Sequence, residues 1–267
     1  MLEDAIKLLG NLQAVVAERN EPGAADSYID RVYYCKVAEL LHVEFYGLTF
    51  DSYFDFLGTL SNPDVAPYLK SIALRGPDEG GNGTRNWDLM PLVEPGIVFP
   101  QLTTFFIEPT APEHHNTTIV ATEYGDWDEE GVLTQLLSVT PKLEALTTPS
   151  APDASFFEVG APALWYLRVD AGYDTQHFIP NLSKSNSFPG LRRLDYGDYN
   201  ERRNKDYPKG CTPCEDYRAL LQSPASAFMN TFILRNSICT PEELSALRAL
   251  RQEMNIRVVQ SYGDYLY

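Results

Sequence analysis

Two cysteines spaced three positions apart form the sharpest chemical motif in the sequence. Cys211 and Cys214 lie in a Cys-Thr-Pro-Cys stretch, and this spacing can supply half of a zinc site or a redox-active pair. A closed zinc site needs two more ligands, and neither Cys239 nor the four histidines provide a second pair at such spacing. We therefore expect no metal and no cofactor. A metal- or redox-dependent enzyme using Cys211 and Cys214 is kept as an alternative.

The remaining polar clusters give no arrangement for catalysis. The sequence has no Gly-x-Ser-x-Gly turn, in which a serine nucleophile is exposed, so we expect a protein without catalytic residues. His114 and His115 lie in a polar stretch that we interpret as an exposed loop. In the acidic run 123–130, negative charge suits the start of the helix predicted to follow. Asp126 and Trp127 in that run are candidate contact residues on an edge loop.

The composition indicates a globular protein whose acidic charge either serves solubility or suits a basic partner protein. The chain has 267 residues, 44% of them hydrophobic, and a formal net charge of −16. Such acidity repels phosphate backbones and anionic lipids, which argues against nucleic acid or membrane as a partner and favours a basic protein. The first residues lack a secretory signal, and no run of about 18 apolar residues occurs. The four cysteines are too few for a disulfide framework, so we expect a cytoplasmic location.

A short pattern of the form Leu-x-x-Leu-x-Leu returns along the chain and indicates stacked repeats. The clearest copies begin at Leu143, Leu164 and Leu191, and weaker copies with other apolar residues begin at Leu41, Leu69, Leu102, Met229 and Ile256. Alternate residues of a strand face opposite sides, so the later apolar positions of each copy are expected to point into a core.

Amphipathic helices are predicted between these strands. The apolar residues of segments 51–60 and 129–139 fall mostly on one helical face. Thr240, Pro241 and Glu243 have the types and spacing of a helix start, with Thr240 as the capping residue and Glu243 completing a capping box.

Three stretches carry a resemblance to bacterial cytosolic leucine-rich-repeat proteins. They are Phe99-Pro-Gln-Leu102-Thr-Thr-Phe105, the helix at 131–137 followed by Pro141-Lys-Leu143-Glu-Ala-Leu146, and Phe188-Pro-Gly-Leu191-Arg-Arg-Leu194. The resemblance implies an α/β fold of the irregular leucine-rich-repeat solenoid (horseshoe) type and a role in binding. The Asn or Cys usual at the ninth repeat position is replaced here by Pro77, Thr110, Ala151, Gly172, Tyr199 and Ser237.

The organisation expected from these patterns is a single solenoid with a helical N-terminal cap. We assign residues 1–36 to the cap and residues 37–267 to the solenoid, as one continuous structural domain. The competing fold is a doubly wound parallel sheet, which favours Val/Ile-rich buried strands and an early Gly-rich turn that opens a helix. The glycine-rich segment 80–83 is instead interpreted as a loop.

In the predicted solenoid, the residues that alternate with the buried ones line the inner, concave face. The binding candidates on it are Phe106, Glu108, Tyr166, Arg168, Asp170, Arg193, Asp195, Ile233 and Arg235. Aromatic and Arg residues are typical of protein-binding hot spots, although Arg168 and Asp195, on adjacent strands, are also expected to pair with each other.

The function expected from this surface is non-enzymatic protein binding. Within this class we expect an immunity protein or antitoxin that neutralises a basic partner, because an acidic surface steers a basic protein toward it. The alternative within the class is a substrate-receptor or scaffold subunit that docks an adaptor through its N-terminal helices.

Overall fold

One large sheet organises the protein. The computed structural model describes residues 1–21, 29–78, 83–122, 129–198 and 207–260. In these residues seven α-helices and short 3₁₀ helices connect eleven strands, nine of which form the main sheet while the other two pair separately.

The strands and helices are short, and most connections contain a helix. The strands are β1 (Arg31–Val37), β2 (Leu40–Tyr46), β3 (Leu69–Arg75), β4 (Thr84–Asn86), β5 (Thr104–Ile107), β6 (Thr117–Ile119), β7 (Ala145–Thr148), β8 (Tyr166–Asp170), β9 (Arg193–Gly197), β10 (Thr231–Arg235) and β11 (Asn255–Val259). The α-helices are α1 (Leu2–Arg19), α2 (Phe50–Leu60), α3 (Met90–Val93), α4 (Val132–Val139), α5 (Phe178–Lys184), α6 (Cys214–Gln222) and α7 (Pro241–Leu250).

The strands of the main sheet lie in chain order, from β1 at one edge to β11 at the other, with β4 and β6 forming the separate pair. β1 and β2 form an antiparallel hairpin, and the other neighbouring strands are parallel. Crossover connections between parallel strands are almost always right-handed. Because each successive strand is added on the same side of the previous one, these connections all lie on one face of the sheet. The order of the described strands nowhere reverses, unlike that of a doubly wound sheet.

Alternating burial along the strands shows which face the helices cover. In β8, Leu167 and Val169 are buried, whereas Tyr166, Arg168 and Asp170 are partly exposed. The strand register places these buried residues beside buried residues of the other parallel strands. One face of the sheet therefore packs against the helices. The opposite face, which carries Tyr166, Arg168 and Asp170 of β8, is called the open face. The strands predicted from the apolar pattern are confirmed.

Aromatic side chains fill much of the layer between sheet and helices. At one end Tyr53 of α2 meets Trp87 with ring centroids 4.9 Å apart. Toward the other end Phe178 of α5 stacks on Tyr196 of β9, with centroids 5.5 Å apart and an interplanar angle of 7°. Each such pair contributes about 0.5–1.5 kcal/mol beyond the area it buries, so the rings help to fix the helices on the sheet.

The prediction of a leucine-rich-repeat solenoid is wrong. The structure is a mixed α/β fold around a nine-stranded, mostly parallel sheet. A regular solenoid repeats one supersecondary unit at every step, whereas here β5 and β7 are joined through β6 and α4, and β7 and β8 only through a 3₁₀ helix at Ala154–Phe157. The Leu-x-x-Leu-x-Leu pattern reports a parallel strand with one face buried, which is not specific to that family.

The helices predicted from the sequence are confirmed as α2, α4 and α7, with ends shifted by a few residues. At α7 the capping box is formed: Glu243 N–H donates to Thr240 Oγ1 at 3.2 Å, and Thr240 N–H donates to a Glu243 carboxylate oxygen at 2.8 Å. Among the described residues, no helix is both long and apolar enough to cross a membrane.

Residues 1–36, expected to form a helical cap, contain α1 and most of β1. α1 packs on β1 and on α2. It buries Leu2, Ala5, Leu9, Leu12 and Val16 in the same core cluster as the sheet. Helix α1 therefore shares one core with the sheet.

Candidate functional site

The open face brings together the residues predicted to bind a partner. Its middle row runs from Phe106 on β5 through Thr147, Arg168 and Asp195 to Ile233 on β10, each lying opposite the next across the strand pairs. Thr147 on β7 belongs to this row but was not among the predicted candidates. Thr147, Asp195 and Ile233 are buried, because longer neighbouring side chains cover them.

Arginine and aspartate side chains of three strands form a charged network on this face. Arg235 donates to Asp195 through two hydrogen bonds, Nε to Oδ1 at 2.6 Å and Nη2 to Oδ2 at 2.9 Å. Arg168 reaches Asp170 on its own strand at 3.5 Å. The expected pairing of Arg168 with Asp195 is wrong. These two residues are opposite each other in register, but Asp195 pairs with the arginine of the next strand.

Asp170 has one unsatisfied carboxylate oxygen in this network. Its Oδ1 atom is inaccessible to solvent and has no hydrogen-bond partner among the described residues. Burial raises the pKa of this carboxyl group above its usual range, and Asp195 adds to the rise, while Arg168 and Arg235 oppose it. The same oxygen lies where a Cβ atom on Gly197 would project, so a larger residue at 197 would displace the Asp170 carboxylate.

Two arginines lie over aromatic rings on the open face. The guanidinium carbon of Arg75 is 4.6 Å from the ring centroid of Phe106, and that of Arg193 is 5.1 Å from the ring centroid of Tyr166. Arg75 also forms an ion pair with Glu108 at 2.9 Å. A guanidinium group over an aromatic ring is attracted to the face of that ring, so each arginine is restrained beside its partner on the open face.

A cleft of about 400 Å³ opens at the carboxyl ends of β8, β9 and β10. Its charged lining consists of Glu108, Arg168, Asp170, Asp198 and Arg235, and its opposite wall consists of the segment 109–112 with Thr117 and Thr118. The carboxyl ends of parallel strands are a common place for ligand sites. No local pattern indicated that segment 109–112 forms a wall of the cleft, because the segment is distant in sequence from β8.

Asp198 connects the cleft to the helical layer. Its Oδ2 accepts a hydrogen bond from the Thr212 N–H at 2.7 Å and another from the Tyr217 hydroxyl at 3.1 Å. Burial raises the pKa of Tyr217 well above its usual value, and the nearby Asp198 carboxylate adds to the effect, so the phenol stays protonated as a donor. The start of α6 is thereby tied to the end of β9.

The cysteines are arranged differently from the sequence prediction. Cys211, Cys214 and Cys239 are buried and Cys35 is exposed, all as free thiols. Cys214 lies close to Cys239 and Glu243, and Cys211 is not a member of this group. Burial, with Asp198 nearby, raises the pKa of Cys211 to about 12. This thiol is therefore protonated and a poor nucleophile at neutral pH.

The two histidines expected on an exposed loop are both partly buried, and His115 is paired. The imidazole Nδ1 of His115 lies 2.5 Å from Asp78 Oδ2, and the backbone N–H of His115 donates a hydrogen bond to Asp78 Oδ1 at 3.0 Å. Burial acts to raise the pKa of Asp78, but these hydrogen bonds and one from the Asn116 N–H outweigh it and lower that pKa to about 2. The pair anchors the loop that follows β3.

The acidic run before α4 is only partly within the described residues. Asp126 and Trp127 lie outside them. Glu129 is buried and accepts hydrogen bonds from the Leu133 N–H at 2.9 Å and the Asp153 N–H at 2.8 Å. It therefore satisfies a free backbone donor in the first turn of α4, as negative charge before a helix start was predicted to do.

Comparisons with known proteins assign no family. No protein-family model matches the sequence, and no curated protein matches it. Among solved structures, the crystal structure of a Bacteroides fragilis protein, a target of the Northeast Structural Genomics Consortium, is 15% identical. It aligns over 84% of this chain and 75% of its own, with a TM-score of 0.42. A likeness this weak indicates neither fold nor function.

Proposed function

We propose that this protein is a non-enzymatic binder of a basic partner protein, which it contacts with the open face of its sheet. The observation that carries the proposal is the cleft of about 400 Å³ at the carboxyl ends of β8, β9 and β10, where carboxylates outnumber guanidinium groups. A cleft of this size accepts a long side chain. A lysine or arginine of the partner would form charge-assisted hydrogen bonds with the carboxylates there.

The surface around the cleft supplies the second part of the proposed interface. The Arg75–Phe106 and Arg193–Tyr166 pairs combine the residue types that contribute most to protein interfaces. Because their side chains are already held by stacking, they lose little conformational entropy when a partner docks. We infer that the partner covers both pairs while one of its basic side chains enters the cleft.

The net charge of −16 favours a basic partner and a fast association. A protein this acidic attracts a basic protein over distances longer than a hydrogen bond, and salt weakens that attraction. Within the binding class, we propose neutralisation of the partner, as by an immunity protein or antitoxin. A partner bound across the whole open face would have its basic surface covered, and this surface would then be unable to contact anything else.

The proposal is tested with a partner that co-purifies from the native host and is then produced separately. The double variant Tyr166→Ala/Arg193→Ala should weaken its binding by roughly 30-fold or more, the effect of losing a hot spot. Arg218→Ala on α6 is the control, because it removes a partly exposed arginine outside the open face, and it should leave binding unchanged. Equal binding by both variants, or no co-purifying partner, would contradict the proposal.

A groove between α1 and α2 supports a second candidate function, that of a scaffold subunit. Leu8, Val15 and Phe54 line it, and Val15 and Phe54 are 42% and 38% exposed. Deleting α1 is a poor test because its buried residues belong to the core. The point variant Val15→Glu keeps the helix and places a charge in the groove. If it abolishes binding while Tyr166→Ala/Arg193→Ala does not, the partner docks on the helices.

A further inference from the structure

The starts of two helices bring two thiols and a carboxylate together away from the cleft. Cys214 is the first residue of α6, Cys239 lies two residues before α7, and Glu243 is the third residue of α7. The two sulfur atoms and one carboxylate oxygen of Glu243 all lie within 4.8 Å of one another. We propose that Cys214, Cys239 and Glu243 bind a zinc ion.

The spacing of the three atoms suits a tetrahedral ion after a small adjustment. Zinc binds thiolate sulfur at about 2.3 Å and carboxylate oxygen at about 2.0–2.2 Å, which places neighbouring ligand atoms roughly 3.5–4 Å apart. Because the three atoms lie within 4.8 Å of one another, they need to approach by about 1.3 Å at most. Rotation of the two cysteine side chains toward the Glu243 carboxylate would supply this movement.

The backbone around Glu243 holds its carboxylate in place. One of its oxygens accepts a hydrogen bond from the Thr240 N–H at 2.8 Å, and the Glu243 N–H is bound in turn by Thr240. Hydrogen bonds to a ligating carboxylate orient it and strengthen metal binding. The capping box therefore serves two purposes: it begins α7, and it orients the carboxylate of Glu243 beside the two thiols.

The chemistry of the three groups selects zinc among the common divalent cations. The two thiolates are soft ligands that suit zinc, which also binds carboxylate oxygen, whereas calcium and magnesium require a shell of oxygen ligands. On binding, the two thiols each lose a proton to solvent and two sulfur–zinc bonds form, with no change in oxidation state. A catalytic or open zinc site has three protein ligands and a water in the fourth position, so the three residues present suffice.

Cys211 provides the matched control for this site. It is also a buried free thiol and belongs to the Cys-x-x-Cys motif, but it is not close to Cys239 and Glu243. If the sequence motif were the ligand pair, Cys211→Ser would abolish zinc binding. If the structural cluster is the site, Cys239→Ser would do so and Cys211→Ser would not.

The experiment measures zinc and cobalt binding by the reduced, metal-stripped full chain. We expect a single zinc ion per chain, with an affinity that falls roughly 100-fold or more in Cys214→Ser and Cys239→Ser and is unchanged in Cys211→Ser and Cys35→Ser. Glu243→Gln should weaken zinc binding, while Glu242→Gln at the neighbouring exposed position should not. With cobalt in place of zinc, a thiolate-to-cobalt charge-transfer band should report two sulfur ligands in the wild type.

Two results would overturn the site. They are no zinc binding by the reduced wild type, or zinc retained by Cys239→Ser but lost by Cys211→Ser. If a serine variant does not fold, the cobalt spectrum of the wild type decides, because a spectrum without thiolate charge transfer excludes both cysteines as ligands. None of these results depends on whether the open face binds a partner.

Discussion

Arg235 on β10 forms a bidentate ion pair with Asp195 on β9, in which Nε donates to Oδ1 at 2.6 Å and Nη2 donates to Oδ2 at 2.9 Å. The side chain of Asp195 is only 2% exposed. A carboxylate this buried depends on its partner, because water cannot replace the lost hydrogen bonds. The pair therefore fixes the register of two strands on the face that we propose to be the binding surface.

Replacing Arg235 by methionine should strongly destabilise the fold. The variant leaves the Asp195 carboxylate buried without its cation, and breaking such a pair costs about 3–5 kcal/mol. The free energy of unfolding in urea measures the loss. Arg19→Met is the control, because Arg19 and Asp55 form a pair whose side chains are 40% and 50% exposed and which contributes at most about 1 kcal/mol. Equal losses in the two variants would contradict the prediction.

Replacing Gly197 by alanine should destabilise the protein because the added methyl group collides with the side chain of Asp170. The added Cβ would meet the Asp170 carboxylate and displace it, at a cost of about 1–3 kcal/mol for overpacking. The backbone at Gly197 has no positive φ, so strain in the backbone makes no contribution. Thermal unfolding of the variant measures the loss.

A double-mutant cycle separates this contact from other effects of the alanine. In an Asp170→Ala background the obstructing carboxylate is absent, so Gly197→Ala should cost much less than in the wild type. The same cost in both backgrounds would show that the alanine meets something other than Asp170.

The strands could be predicted from sequence because their signal is local. Leu167 and Val169 are two residues apart and both buried, and the partly exposed Arg168 lies between them; this alternation follows from the geometry of one strand. What joins one strand to the next is not local. The same pattern occurs before a connection that contains a helix, such as α5, and before one that contains only a 3₁₀ helix, so it could not distinguish a repeat from this sheet.

The charged side chains of the site were identified correctly as neighbours, but their pairing was not. Arg168 and Asp195 are opposite each other in register, yet the arginine one strand further along binds Asp195. Pairing depends on the reach and rotamer of each side chain, which strand order alone does not determine. The grouping of Cys214 with Cys239 and Glu243 similarly requires the packing of α6 beside α7, and no spacing in the sequence reports it.

Acid should reveal the stabilising role of Asp78. Its pKa is lowered from 3.8 to about 2 in the folded protein, so its contribution is fully present above the unfolded pKa and is lost as the pH falls through the folded one. Allowing for screening by solvent, we expect Asp78→Asn to cost about 1 kcal/mol at neutral pH. Urea unfolding of both proteins should give a difference that is constant above pH 5 or so and shrinks toward pH 2. A difference that does not change with pH would contradict the prediction.

Asp170 should show the opposite dependence on pH. Burial, with Asp195, raises its pKa in the folded state despite the opposing effects of Arg168 and Arg235. A carboxyl group with a raised folded pKa destabilises the fold when both states are ionised. This cost disappears as the pH falls from the folded pKa to the unfolded value of 3.8. The Asp170→Asn variant has no carboxyl group at this position, so its free energy of unfolding should exceed that of the wild type at neutral pH. This difference should diminish on acidification. An advantage that grows on acidification, measured by urea unfolding over the same pH range, would show that the arginines outweigh burial at this site.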